Sequence, residues 1–550
     1  MDKSFVYFYL TGSLLTLGAG FVVYYISLGH NLKRFTWLMY LLIFSSIYMF
    51  FAQILKYHSL HFYIDFSHWT AILHNIVTTG KPTNLSVELM VPGGLNYFSI
   101  HFVPFLYVLA VPFRLWPYSE TLMIMNYIVM ASSIIPLYKL TLFCHKDKNT
   151  RFGLFMAALL LWYPTFQYTT LYEFEVLRFS IPIILWMLYF WENKNTVLYF
   201  LFVLLAVLVR EEVGLTIMMF GVYVFLFEKR RFIGGTTIFI GLAAFIIITQ
   251  IAMPLFRTEA NYQYVATSSF SALGKTPVEV VKTFISHPSK VLSTIFQTIK
   301  VANAFMLFLP LLFISLLAPR ILICTLANFG ILLISSAVTH FSYMMYYLSP
   351  SIPFIFYAFI KGWHRLLNML ESLNTKMSCK QRGNVDSAAM LSVLSALLVV
   401  NIFFGPSPIS LQFWFRNLRP APFNTQNFHY STYLITEHHR KVEEFTRLIP
   451  DSAIISAEHY FAPRLFKKKA MLRFPRLKCR DPYLKVDADY VLIDKKNPIK
   501  TRGNLRDNPQ QYYDLVEKDP NNWQLVKSED GYFLYQRNEN LNNESMRNPL

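Results

Sequence analysis

Charge is what this sequence has least of. Only 15% of its 550 residues are charged, against about 25% in an ordinary soluble protein. With 54% of the residues hydrophobic, that shortage excludes a soluble globular chain and points to one that faces lipid. Cysteine is scarce as well. Cys144, Cys324, Cys379 and Cys479 have no metal-ligand spacing and no evident pairing, which argues against a disulfide framework. Acidic residues are outnumbered, 32 against 50 Lys and Arg, for a net charge of +18. Such an excess can signal a nucleic-acid partner, but here the basic residues gather in short loops between apolar runs. That is the positive-inside pattern of a membrane protein, so no nucleic acid is expected.

Apolar runs near the length that crosses a ~30 Å hydrocarbon layer recur from Phe5 to Phe404 and then stop. The chain therefore divides into a membrane part, 1–404, and a soluble tail, 405–550. The first run, Phe5 to Leu28, exceeds a signal-peptide core and lacks a small-residue cleavage site, so it reads as a retained helix. Placing Lys33/Arg34, Lys146/Lys148/Arg151, Lys229/Arg230/Arg231 and the stretch from Lys361 through Lys376, Lys380 and Arg382 inside gives about 12 transmembrane helices. They fall near 5–28, 35–55, 121–143, 153–168, 177–191, 197–209, 213–227, 233–255, 301–317, 321–338, 347–361 and 387–404. Both termini then lie outside, with two long outer segments, 56–120 and 256–300. Within the first, His101 to Trp116 is broken by Pro104 and Pro112 and reads as helix lying in the interface. As a span it would invert every later loop.

The tail has soluble α/β periodicity. A polar helix over Glu437–Leu448 is followed by strand-like runs at Ala453–Ser456, Met471–Phe474 and Tyr490–Asp494. A helix near Gln510–Glu517 then leads to Trp523–Val526 and Tyr532–Tyr535, a hairpin closing across Glu529-Asp530-Gly531. With no Gly-rich phosphate loop and no nucleophile elbow, the tail is expected to bind or cap and not to catalyse.

The chemistry is expected in the membrane part. Arg210-Glu211-Glu212 lies between Val197–Val209 and Val213–Phe227, helices that would each rise only about 20 Å. The turn should therefore sit below the outer surface, where charged groups must pair or line a watery cavity. The plain alternative is an Arg–Glu pair that satisfies itself and caps two helices. Glu173 and Glu175 with Arg178 form a second cluster in an outer turn on the same face; the alternative there is a solvated loop. Asp65 is the only acidic residue between Asp2 and Glu88 and follows the second helix in an outer loop. His101 precedes the interfacial segment, as a polar contact or a structural histidine. An acid, an acidic pair and an Arg–Glu–Glu turn on one face suit a lipid-phosphate sugar donor. One carboxylate could deprotonate an acceptor hydroxyl, a cation could hold the leaving phosphate, and another carboxylate could bind a divalent metal or orient the sugar.

Asp65-Phe66 with Asn75, Gly80 and Pro82, then His101-Phe102-Val103-Pro104, Arg210-Glu211-Glu212-Val213-Gly214 and the tail's Ala488-Asp489-Tyr490-Val491-Leu492-Ile493-Asp494 resemble the family of unknown function numbered 2079. Its polytopic members look like the GT-C glycosyltransferases. The resemblance covers most of the chain from about Leu55. It implies a GT-C-like fold with the catalytic acid, here Asp65, in the first outer loop, in a prokaryotic cytoplasmic membrane. The chain departs from the family pattern in two places: Thr70-Ala71 stands where an Asp-Gln is usual, and Phe174-Glu175-Val176-Leu177 where Phe-His-Pro-Glu is usual.

The leading expectation is an inverting glycosyltransferase that moves a sugar from a polyprenyl-phosphate donor to a glycan, lipid or protein acceptor outside. Asp65 would be the base, Arg210 the phosphate contact, and Glu173, Glu175, Glu211 and Glu212 the metal or sugar contacts. Its rivals are a transporter or lipid flippase without bond chemistry, and a scaffold whose tail binds a partner. A transporter would place charges near the midplane and often repeats a half. No repeat is evident, and the charges lie toward one face.

Overall fold

The computed structural model describes residues 3–27, 36–62, 64–84, 96–145, 150–257, 269–270, 272–274, 277–373, 379–416, 418, 428–481, 484–497 and 509–538. Lys33, Arg34, Lys146, Lys148 and Lys376 lie outside these residues, as do the side chains of Lys380 and Arg382.

The chain is mostly helical. Among the described residues, five helical stretches are long and apolar enough to cross a bilayer: Phe8–Ser27, Thr36–His58, Ser119–Cys144, Arg231–Leu255 and Val385–Phe404. A bent pair, Pro288–Ile295 with Thr298–Leu311, makes a sixth if counted as one span. The expected dozen therefore resolves into fewer full-length spans. Several of the other runs form shorter apolar helices, among them Thr150–Trp162, Thr196–Val207, Val213–Leu226 and Pro319–Ile334. Pro164, at the start of Pro164–Leu171, marks one break, because a proline lacks the N–H that would continue the preceding helix. Every residue from Phe155 to Pro182 is buried, so these pieces pack against protein and need not match the lipid thickness.

Leu106–Leu115 is a helix of 10 residues, rising about 15 Å and too short to span by itself. Asp65, expected in a loop, instead lies in the first turn of a 16-residue helix, Ile64–Thr79. Phe66, Trp69, Ile72, Leu73 and Ile76 are all buried, and their three-to-four spacing puts them on one helical face. Asp65 suits that first turn, where the exposed backbone N–H groups favour a carboxylate.

In the tail, β1 (Ile454–Ala457), β2 (Ala470–Arg473), β5 (Tyr490–Asp494), β6 (Trp523–Glu529) and β7 (Tyr532–Arg537) form a sheet ordered β2-β1-β5-β7-β6. A separate hairpin joins β3 (Lys478–Asp481) and β4 (Leu484–Asp487), which sequence periodicity did not reveal. The β6–β7 turn is Asp530-Gly531, both at positive φ, 51° and 88°, as a two-residue hairpin turn requires. The helices Glu437–Arg447 and Gln510–Glu517 stand where the sequence places them.

The tail docks where the span Thr36–His58 ends. The Ser59 hydroxyl donates to the Thr432 carbonyl at 2.5 Å, and Arg464 Nη2 donates to the Tyr57 carbonyl at 3.0 Å. Ser119, at the start of another span, donates to the Pro463 carbonyl at 2.8 Å. Leu60 packs into the tail core beside Phe461 and Leu492. The tail thus sits on the end of the helical bundle from which the Asp65 helix starts.

Small residues let the helices Val213–Leu226 and Arg231–Ile247 touch backbone to backbone, a common device where lipid supplies no hydrophobic drive between helices. A Cβ on Gly241 would meet the Gly214 carbonyl at 2.5 Å and the Met218 N at 2.6 Å, whereas one on Gly235 would meet nothing within 4 Å. Gly241→Ala should therefore cost about 1–3 kcal/mol by overpacking, and Gly235→Ala should change stability by under about 0.5 kcal/mol. Thermal unfolding in detergent checks this pair. Equal shifts in Tm would show that the close approach is not what holds these helices.

Candidate functional site

Four breaks in the helical chain meet in one cluster. Asp65 and Phe66 come from the start of Ile64–Thr79, and Tyr172 to Glu175 from the kink between Pro164–Leu171 and the turn Val176–Phe179. Arg210 to Glu212 form the turn between a 12-residue and a 14-residue helix. His101 follows the short turn Tyr97–Ser99. Each break frees backbone and side chains from helical packing, which is how polar groups come to face one another inside an apolar bundle.

The first contact pairs Asp65 with the kink. The Tyr172 hydroxyl donates to Asp65 Oδ2, and the Phe66 N–H donates to Glu173 Oε2 at 2.9 Å. Glu173 therefore caps the Asp65 helix from a segment 107 residues away in sequence. It is buried, as is Lys56, whose ammonium acts on it electrostatically.

The second contact pairs the kink with the charged turn. Arg210 Nη1 donates to Glu175 Oε1 at 3.4 Å, and Arg210 Nε lies 3.1 Å from Glu212 Oε1. Arg210 Nη2 faces His101 Nε2 at 3.0 Å. A guanidinium only donates, so Nε2 accepts, and Nδ1 is left to donate to Glu211 Oε1 at 2.6 Å. The turn is thus not self-satisfied. Arg210 and Glu211 complete their bonding with Glu175 and His101, from elsewhere in the chain.

Aromatic rings close the gap between the two contacts. The Tyr172 ring lies 4.9 Å from Tyr346, Tyr346 lies 4.3 Å from Tyr347, and the Arg210 guanidinium stands 6.0 Å from the Tyr347 ring. All seven residues expected at the site, Asp65, His101, Glu173, Glu175, Arg210, Glu211 and Glu212, belong to this one constellation. Their burial divides them. Glu173, Glu175, Arg210 and Glu211 are buried, which overturns the solvated-loop reading of Glu173 and Glu175. Asp65 is exposed, and the side chains of His101 and Glu212 keep 21% and 26% of their area. These three are the groups a ligand can reach first.

Arg178 does not join the acidic pair beside it in sequence. It is fully buried and turns the other way, donating to Asn126 Oδ1 at 2.8 Å and to the carbonyls of Thr170 and Tyr172 at 3.3 and 3.4 Å. Gln53 joins it by donating to the Thr170 carbonyl at 2.7 Å. This network fixes the kink from behind. Sequence reading missed Tyr172, Lys56, Asn126, Gln53 and the Tyr346–Tyr347 pair. Only Tyr172 carried a signal, as the residue next to Glu173. Among the described residues, no three His, Cys, Asp or Glu side chains are grouped so as to hold a metal ion.

A mostly helical chain with several bilayer-length apolar helices and buried charges where helices break defines an integral membrane protein. The chain belongs to the predicted membrane protein family DUF2079, whose pattern matches residues 65–534. No curated protein matches it.

Water reaches Asp65 from one side while protein packs the rest. That partial desolvation pushes its carboxyl above the ordinary range, and the Tyr172 hydroxyl pulls it part of the way back. Tyr172→Phe removes the bond that favours the ionised form, so Asp65 should stay protonated to higher pH. A carbodiimide, which attacks protonated carboxyls, should label Asp65 to a higher pH in Tyr172→Phe than in wild type. Identical pH profiles would show that the hydroxyl does not control Asp65.

Proposed function

We propose that the protein is a GT-C-like, inverting membrane glycosyltransferase. It moves a sugar from a polyprenyl-phosphate donor to a glycan, lipid or protein acceptor on the outer face of a prokaryotic cytoplasmic membrane. The observation that carries this reading is the position of Asp65, an exposed carboxylate of raised pKa, beside a buried Arg210 cluster. A raised pKa brings a carboxylate closer to the working pH, where a general base is most effective.

In the reaction, Asp65 takes the proton of the acceptor hydroxyl as its oxygen bonds to the anomeric carbon. The bond from that carbon to the phosphate oxygen breaks, and its electron pair leaves with the lipid phosphate. A single displacement of this kind inverts the anomeric centre. Arg210 receives the developing negative charge on the phosphate, exchanging the partly exposed Glu212 for it. Glu212 then faces the sugar hydroxyls. Glu173, Glu175 and Glu211, buried and already bonded, position Asp65, Arg210 and His101. The tail, packed against the same end of the bundle, lies outside in this reading.

Asp65→Asn keeps the shape and loses the base. Release of lipid phosphate from polyprenyl-phosphate sugars by the purified protein should fall by about 10²–10⁴-fold, with donor binding little changed. If wild type releases none from any donor, yet moves lipid or solute across vesicle membranes in an Arg210-dependent way, a transporter replaces the enzyme.

A further inference from the structure

A second site lies where the tail meets the bundle. A cleft of about 830 Å³ opens between the end of the span Thr36–His58, the start of the span Ser119–Cys144 and the tail helix Glu437–Arg447. It shares no residue with the Asp65 cluster, so a ligand held there is independent of the chemistry at that cluster.

The lining is unevenly charged. Five cations, Arg440, Arg447, Arg464, Lys467 and Lys468, face three carboxylates, Glu120, Glu443 and Asp451. Most of the cations are already held. Arg464 pairs with Glu443 at 2.9 Å and lies 4.3 Å over the Tyr57 ring, while Lys468 pairs with Asp451 at 2.7 Å. Arg440 bonds Glu437 on its own helix. Among the described residues, Arg447 and Lys467 have no carboxylate partner, and Lys467 instead stands 5.2 Å over the Tyr118 ring. Two unneutralised cations in one cleft are a site for an anion.

The level of the cleft says which anion. Its floor is made by the last residue of one span, His58, and the first of another, Ser119, so it lies where lipid headgroups lie. Beside it, Val111, Leu115, Trp116 and Tyr118 are more than half exposed, an apolar flank ending in the aromatic pair typical of a membrane interface. A lipid chain can lie along that flank while its headgroup turns into the cleft. We propose that the cleft binds the phosphate-bearing headgroup of an anionic lipid, with Arg447 and Lys467 as its charge partners.

The full chain in detergent can be titrated with phosphatidylglycerol or phosphatidylcholine, and bound lipid counted by native mass spectrometry. Phosphatidylglycerol should bind the more tightly. Arg447→Gln with Lys467→Gln should weaken it about 30-fold, since each cation near a charged lipid surface is worth a factor of about five. Neither side chain is buried, so the fold should survive. Glu120→Gln, which removes a lining anion, should shift binding the opposite way and tighten it. Inorganic phosphate that displaces the lipid at equal concentration, and that the double variant no longer binds, would assign the same phosphate site to a soluble ligand. No preference for phosphatidylglycerol, or unchanged binding in the double variant, would overturn the site.

Discussion

Arg210 is a buried charge, and the helix breaks at one end of the bundle are arranged around it. A lone cation at that burial would cost several kcal/mol. The cost is met by Glu175 from the kink, by Glu212 from its own turn and by His101, which hands the contact on to Glu211. Each partner sits at a break in a helix, so the breaks are held in register by the charge. The same kink carries Tyr172 and Glu173, which hold the start of the Asp65 helix. The position of Asp65 thus depends on Arg210 through one continuous segment.

That dependence explains the short helices. A 12-residue and a 14-residue helix joined by a charged turn are too short to traverse the hydrocarbon one after the other as two full spans. What they do is bring Arg210 and Glu211 into the protein interior. The kink at Tyr172–Glu175 does the same from another direction. Burial of nearly the whole stretch around it means that its polar groups must find partners within the protein. Arg178, Asn126 and Gln53 supply them on the side away from the site.

How much of this was readable in the sequence depended on the kind of signal. Charges between apolar runs stand out, so Arg210, Glu211 and Glu212 were singled out from helix length and burial cost, whereas Glu173 and Glu175 were read as an outer turn and Asp65 and His101 drew their support from the family resemblance. The membrane class followed from run length, and the tail's main strands and helices from periodicity. What failed were features that depend on contacts. The helix Ile64–Thr79 was missed because its polar residues, Asp65, His68 and Asn75, read as loop, although its buried apolar residues keep helical spacing. Tyr172 and Lys56 act through partners more than a hundred residues away, which no local pattern encodes. The expected dozen did not appear as a dozen full-length spans among the described residues, because an apolar run does not show whether lipid or protein surrounds it.

The central claim is that Arg210 and Glu175, 35 residues apart, form one energetic unit that ties the charged turn to the kink. A double-mutant cycle of Arg210→Leu and Glu175→Gln, read by thermal unfolding, tests it most directly. Each single change should destabilise by about 3–5 kcal/mol, because it strands a buried charge. The double variant should lose far less than the sum. Additivity within about 0.5 kcal/mol would mean that the two residues are independent, and the account built on their pairing would fail.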